Sequence, residues 1–302
     1  MTLWTGKWDV PWEMTNTAPR LKDQEDLTDN PYKELFIYYF HGLLKPGYKI
    51  CGSNFIGNWQ EDDFSFLFFS KPSSDEVSKI LISNPGLTLL DEFHMTYDQW
   101  QGGKTAPKKI GRFFIVPPWS KNAKKMNLCH KEITILLDPG VVFGNGLHTT
   151  TRDCLEALEI VFLRDRIEFA IDVGTGTGIL ALAASLLGCR STLAVDFNFL
   201  AANTALRNVR LNSLENRILV TQGRAEDFID SPSDLVIANI HYDVMKHLTA
   251  SQGFYNKKWF ILSGLLRSQA RDVSFNLSLN RINIIKTWEC DGIWHTFLGK
   301  KD

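Results

Sequence analysis

The sequence predicts an α/β protein in which a doubly wound, mostly parallel sheet follows a smaller α+β unit. Three observations carry this. From Glu132 onward, short apolar runs alternate with amphipathic stretches of helical length. In Ala170–Leu182, AIDVGTGTGILAL, a strand, a glycine turn and a helix follow one another directly. Before residue 100 the runs are rich in aromatics and only one has helical spacing, as expected of a separate sheet-and-helix unit. The expected division is residues 1–100 for the N-terminal α+β domain, 101–130 for a linker and 131–302 for the larger domain.

The chain begins with Trp4, Trp8 and Trp12, which are expected to dock on a neighbouring surface; Pro11 limits any helix there. Lys33–Phe40 and Phe64–Phe69 read as strands, and Gly42–Gly57, with Pro46, Gly47 and Gly52, reads as loop. Ser73–Ser83 starts with cap-forming serines and places Val77, Ile80 and Leu81 at helical spacing. Leu87–Tyr97 is the next strand. The stretch 98–130 reads as connecting sequence around one short strand, Arg112–Val116, stopped by Pro117-Pro118. Both a hinge and an ordered, packed connection fit it.

In the second half, Ile133–Leu137 is a strand that runs through a loop bearing Pro139, Gly140, Gly144 and Gly146 into a helix. His148 and Thr149–Thr151 stand at that helix entrance, where the hydroxyls are expected to cap free N–H groups. A ligand-covering loop and a purely structural cap both fit. Strands follow at Thr192–Asp196, Ile218–Thr221, Asp234–Ile240 and Trp259–Ser263, with helices at Leu200–Asn212 and from about Leu265 to Val273. Arg281–Glu289 and Trp294–Leu298 form a hairpin around Asp291-Gly292.

Composition narrows the function classes. With 44% hydrophobic and 22% charged residues the chain is of the soluble globular type. A formal net charge of −1 gives no general attraction to nucleic acid or anionic membranes, leaving only local basic patches such as Lys121, Lys124 and Lys125. The five cysteines contain no C-x-x-C pair, which fits reduced thiols in the cytoplasm rather than a disulfide framework or a zinc site. The first residues lack the pattern of a signal peptide, and no apolar run is long enough for a bilayer. No H-E-x-x-H, G-x-S-x-G or G-x-x-x-x-G-K-[ST] run occurs and the histidines are dispersed, so no metal site is expected.

The glycine turn carries the chemistry. Gly174, Gly176 and Gly178 alternate with threonines, and a dinucleotide fingerprint would need its last glycine where Ile179 stands. A G-x-G-x-G turn with an acid at the end of the next strand suits S-adenosylmethionine better, and Asp196 is that acid. An NAD-dependent dehydrogenase and a non-catalytic cofactor-binding module are the alternatives from other classes. Glu226 is either a partner for an adenine amino group or an exposed acid at a helix start.

LDPGVVFGNGLHTTT, AIDVGTGTGILALAA, AVDFN, LVIANI, ILSGLLRSQ and WHTFLGKK, with DQWQ and IGRFFIVPPW before them, resemble the PrmA family in order and spacing. The resemblance runs from about Asp98 to the C-terminus. It implies a class I S-adenosylmethionine-dependent methyltransferase fold with a seven-stranded, mostly parallel sheet, acting in the cytoplasm as a monomer. It also implies N-methylation of lysine side chains or the amino terminus of large-subunit ribosomal protein eleven, with target choice in the N-terminal domain and no nucleic-acid or membrane partner. Methylation of another protein or of a small molecule is the alternative within the same chemistry. By the resemblance, Thr151, Gly174 and Gly176 contact the cofactor and Asp196 holds its ribose. Asn239 contacts the cofactor at its methyl-donor end and is the catalytic residue, and Phe143 and His148 belong to the covering loop.

The chain departs from the family pattern at Asn145, Leu147 and Thr149, at Thr175, and at Phe197-Asn198-Phe199. Asn239-Ile240-His241-Tyr242 lacks the prolines of the N-P-P-Y run of amide- and base-directed relatives, which argues for an amine acceptor.

Overall fold

A computed structural model describes residues 30–120 and 132–302. Trp4, Trp8, Trp12, Cys129 and the three lysines at 121, 124 and 125 lie outside the described residues.

The N-terminal unit is a four-stranded antiparallel sheet with one helix. Its elements are β1 (Glu34–His41), β2 (Phe55–Glu61), β3 (Phe64–Phe69), α1 (Ser74–Ser83) and β4 (Thr88–Thr96), and the strand order is β2-β3-β1-β4. Strand β2 corrects the expectation of a loop running to Gly57. Its sequence, FIGNWQE, lacks a clean apolar alternation, and it becomes a strand by pairing with β3, with Trp59 opposite Phe66. Alternate residues of β1 face opposite sides. Tyr38 and Phe40 pack with Val77 and Ile80 of α1. Leu35 and Ile37 pack on the other side with Phe68, Tyr97 and Val141.

A short helix, α2 (Tyr97–Trp100), leads to β5 (Lys108–Ile110) and β6 (Phe113–Val116). With β7 (Ile133–Leu136) these form a three-stranded sheet in the order β5-β6-β7. The connecting stretch therefore holds two strands, and the Arg112 amide ties it to the Glu159 carboxylate at 2.7 Å.

The remaining elements are α3 (Thr149–Arg164), β8 (Phe169–Val173), α4 (Ile179–Leu187), β9 (Ser191–Asp196), α5 (Phe199–Leu211), β10 (Ile218–Gln222), β11 (Leu235–Asn239), α6 (Tyr242–Ala250), β12 (Trp259–Leu266), α7 (Arg267–Leu279), β13 (Ile282–Cys290) and β14 (Trp294–Lys301). The seven strands lie in the order β10-β9-β8-β11-β12-β14-β13. The first five are parallel and β14 runs antiparallel between β12 and β13. This is the class I S-adenosylmethionine-dependent methyltransferase fold expected from the sequence.

One apolar layer lies on each face of this sheet, with α3 and α4 in one and α6 and α7 in the other. Helix α4 is buried from Ile179 to Ser185, which explains its apolar sequence on all sides. Helix α6 was not expected; only Met245, Leu248 and Thr249 of it are buried, too few for a visible helical stripe. Among the described residues no helix is long and apolar enough to cross a membrane.

Candidate active site

The strand order reverses between β8 and β11, and the carboxyl ends of β8, β9 and β11 meet there. In an open parallel sheet this crevice is where ligands bind. The glycine turn leaves β8 here and enters α4. Asp172, the one acid in an apolar strand, is fully buried and staples the turn. Its Oδ2 accepts the Thr175 hydroxyl at 2.5 Å and the Ala181 amide at 3.1 Å. Burial pushes its carboxyl up to about 7. The sequence signal for Asp172 was visible, an acid interrupting a buried strand before a glycine turn, yet it did not enter the candidate site.

Asp196, at the end of β9, faces the turn. Its Oδ2 accepts the Gly176 amide at 2.9 Å and its Oδ1 accepts the Asn198 amide at 2.9 Å. A carboxylate offers about four lone-pair sites, so acceptor capacity remains for two further hydroxyls. Burial raises the pKa of Asp196, and its two N–H donors act in the opposite direction. Asn198 also caps α5, accepting the Leu200 amide at 2.9 Å, and its Nδ2 donates to the Gln60 carbonyl of β2 at 3.3 Å. The Phe197-Asn198-Phe199 departure thus links the ribose-binding candidate to the N-terminal sheet.

The loop from Asp138 to His148 lies over the turn. Thr177 donates its amide to the Phe143 carbonyl at 3.1 Å and its hydroxyl to the Gly144 carbonyl at 2.7 Å. Gly176 is required by this approach: it has φ +56°, and a Cβ there would stand 2.6 Å from the Phe143 carbonyl oxygen. The glycine pattern therefore serves the protein's own packing as well as any ligand.

The cap of α3 corrects one expectation. The helix is capped by the His148 imidazole, not by a threonine hydroxyl: Nδ1 accepts the Thr150 amide at 3.4 Å and lies 2.7 Å from the Thr150 hydroxyl. Burial lowers the His148 pKa, which favours the neutral ring that this acceptor role needs. Thr151 is buried, and its hydroxyl has no hydrogen-bond partner among the described residues. Such an orphaned buried group is costly unless a ligand satisfies it.

Asn239 ends β11 beside Ser263 of β12 and is half-buried. Its side-chain amide has no hydrogen-bond partner among the described residues, whereas Ser263 bonds Thr296 at 2.5 Å and Thr296 bonds Asp153 at 3.2 Å. Three aromatic rings stand in a row near the α3 entrance. Phe143 meets His148 edge to face at 5.4 Å between centroids, and His148 meets Trp294 at 5.4 Å. Trp294 opens the segment WHTFLGKK but was not a candidate site residue, because only the hairpin β13–β14 carries it to the α3 entrance from the far end of the chain. Glu226 sits in the 3-10 turn Ala225–Asp227 with its carboxylate 3.9 Å from the Arg224 guanidinium.

The structure thus brings Gly174, Gly176 and Asp196 together around the turn, with Thr151 and Asn239 at the neighbouring entrance of α3 and end of β11. A hydroxyl, a carboxylate, a glycine turn and a side-chain amide suit a nucleoside with a charged amino-acid arm, and S-adenosylmethionine has that chemistry.

Known proteins agree with this architecture. The family model described as Ribosomal protein L11 methyltransferase (PrmA) matches residues 95–302. A protein of Geobacillus kaustophilus named ribosomal protein L11 methyltransferase is 35% identical over 190 residues, 60% of this chain and 59% of that protein. One of Alkaliphilus oremlandii with the same name is 32% identical over 246 residues, 76% of each. The crystal structure of ribosomal protein L11 methylase from Lactobacillus delbrueckii subsp. bulgaricus matches with a TM-score of 0.56 and 26% identity, covering 65% of this chain and all of that one. The chain therefore spans less of the Geobacillus protein, 59% of its length, than of the Alkaliphilus protein.

Proposed function

The chain belongs to the ribosomal protein L11 methyltransferase (PrmA) family, and from that premise we propose that it transfers methyl groups from S-adenosylmethionine to amines of ribosomal protein L11. The acceptors are lysine side chains or the amino terminus. The observation that supports the site is that the glycine turn, bonded to Asp196 and lying under the 138–148 loop, and Asn239 stand at the carboxyl ends of neighbouring strands.

S-adenosylmethionine supplies a methyl group made electrophilic by its sulfonium. Asp196 would hold the ribose hydroxyls, and the Thr151 hydroxyl and the backbone at Gly174 and Gly176 would bind the remainder. Asn239 would accept a hydrogen bond from the attacking amine and aim its lone pair. Phe143, His148 and Trp294 would exclude water around it. Neutralising a lysine of pKa near 10.4 at pH 7 costs about 4–5 kcal/mol. Alignment of reactants contributes about 7–11 kcal/mol. Positioning therefore outweighs deprotonation, and the neutral amine needs no strong base beside it.

In this proposal residues 1–100 choose the protein substrate, 101–130 connect and 131–302 carry out the transfer. The enzyme works in the cytoplasm as a monomer, without a nucleic-acid contact of its own. The test is transfer of labelled methyl from S-adenosylmethionine to purified L11, together with thermal shifts by S-adenosylhomocysteine and by NAD. Labelled L11 and stabilisation by S-adenosylhomocysteine are expected. Stabilisation by NAD alone would sink the cofactor reading, and labelling only of other proteins would sink the substrate.

A further inference from the structure

We propose that Gln101 is a positioning residue for the cofactor site, which clamps the 138–148 loop onto the glycine turn through Gly140 and Asn145. This inference rests on the methyltransferase reading of that site. It means that the N-terminal sheet, through the elbow that follows β4, sets the shape of the cofactor pocket.

The elbow is closed by hydrogen bonds at its start. Thr96 and Gln99 form a reciprocal cap: the Gln99 amide donates to the Thr96 hydroxyl at 3.2 Å, and the Thr96 amide donates to Gln99 Oε1 at 2.8 Å. From this elbow three side chains reach the loop. The Tyr97 hydroxyl and Gln101 Nε2 both donate to the Gly140 carbonyl, at 2.7 and 2.8 Å. Trp100 Nε1 donates to the Val141 carbonyl at 3.2 Å. In return Asn145 Nδ2 donates to Gln101 Oε1 at 2.7 Å and to the Gln101 carbonyl at 3.0 Å. Both ends of the buried Gln101 amide are thus engaged, and its orientation is set by the two partners together.

The same loop is bonded to Thr177 on its inner side, through the Phe143 and Gly144 carbonyls. Hydrogen bonds joined by short stretches of backbone therefore connect β4 through Gln101 and the loop to the glycine turn and Asp196. Next to it an open cavity of about 390 Å³ is lined by Trp100, Gln101, Phe143, Leu147 and His148. Val141 packs with Leu35, Ile37, Phe68 and Tyr97, and beside that packing the polar contacts of the elbow fix the loop backbone at Gly140 and Val141.

The test uses the full chain and two readouts. Hydrogen exchange of residues 138–148 is measured without ligand, and affinity for S-adenosylhomocysteine is measured by calorimetry. Gln101→Ala is expected to speed exchange in the loop about tenfold and to weaken S-adenosylhomocysteine about tenfold. Gln101→Glu keeps an acceptor for Asn145 but sets a carboxylate oxygen against the Gly140 carbonyl, so it should be at least as damaging as Gln101→Ala. Gln101→Ala combined with Asn145→Ala should cost less than the sum of the two single changes, because the two side chains share one of their contacts. A lower melting temperature with unchanged loop exchange and unchanged affinity would mean a merely structural role and overturn the inference. An unmodified chain that does not bind S-adenosylhomocysteine overturns the methyltransferase reading and the inference with it. An unmodified chain that binds it, beside a Gln101→Ala variant that binds equally well, overturns the inference alone.

Discussion

The Gly176 amide donates to Asp196 Oδ2 at 2.9 Å, joining the glycine turn to the end of the next strand. Asp196 therefore shapes the turn as well as offering acceptors to a ribose. Asp196→Ala is expected to abolish binding of S-adenosylhomocysteine and to lower stability by about 1.5–3 kcal/mol, the usual loss for hydrogen bonds to a charged group. Calorimetry and chemical denaturation check the two effects. Unchanged affinity would show that the ribose contact lies elsewhere.

Gly174 has φ +64°, and a Cβ there would lie 2.3 Å from Ile240 Cγ2. Gly174→Ala should distort the turn and cost about 1–3 kcal/mol in backbone strain alone, before the contact with Ile240 is counted. Pairing it with Ile240→Ala removes the contact and leaves the strain. The pair should therefore recover part of the cofactor affinity lost in Gly174→Ala. No recovery would assign the whole effect to φ.

Asp172 makes stability depend on pH. Its carboxyl is raised to about 7 in the folded chain, and it titrates near 3.9 when unfolded. Between those values the native state holds a proton that the unfolded chain has released. Stability from this group is therefore present below about pH 4 and is lost as pH rises to about 7. Asp172→Asn cannot ionise, so the unmodified chain should lose several kcal/mol relative to the variant between pH 4 and 8. Urea titrations across that range check this, and parallel curves would refute it.

Asn239 is expected to act on the reaction more than on cofactor binding. Asn239→Ala should lower kcat about 10²-fold, as for loss of one positioned group at a reacting centre, with S-adenosylhomocysteine affinity within about twofold. Single-turnover methylation of L11 separates the two. A large loss of affinity with kcat unchanged would leave Asn239 in cofactor binding alone.

Much of the fold was legible because its signals are local. Apolar runs such as Leu235–Asn239 reflect strands buried on both faces, and the alternating glycines of the turn need backbone conformations that other residues avoid. Strand β2 and helix α6 were not legible. β2 owes its conformation to pairing with β3, and α6 buries too few side chains to write a pattern.

The sequence by itself determined the strand-turn-helix start, the acid at the end of β9 and the family. Each is written in contiguous residues whose chemistry has few other uses. Only the tertiary structure decided that His148 caps α3, that Trp294 stands beside it, and that Gln101 and Asn145 hold the loop. The last two join residues distant in the chain, and the first is a bond from His148 to Thr150 whose geometry is set by the course of the loop before it. No local pattern encodes them, because each depends on how the sheets and their connecting loops come to rest against one another.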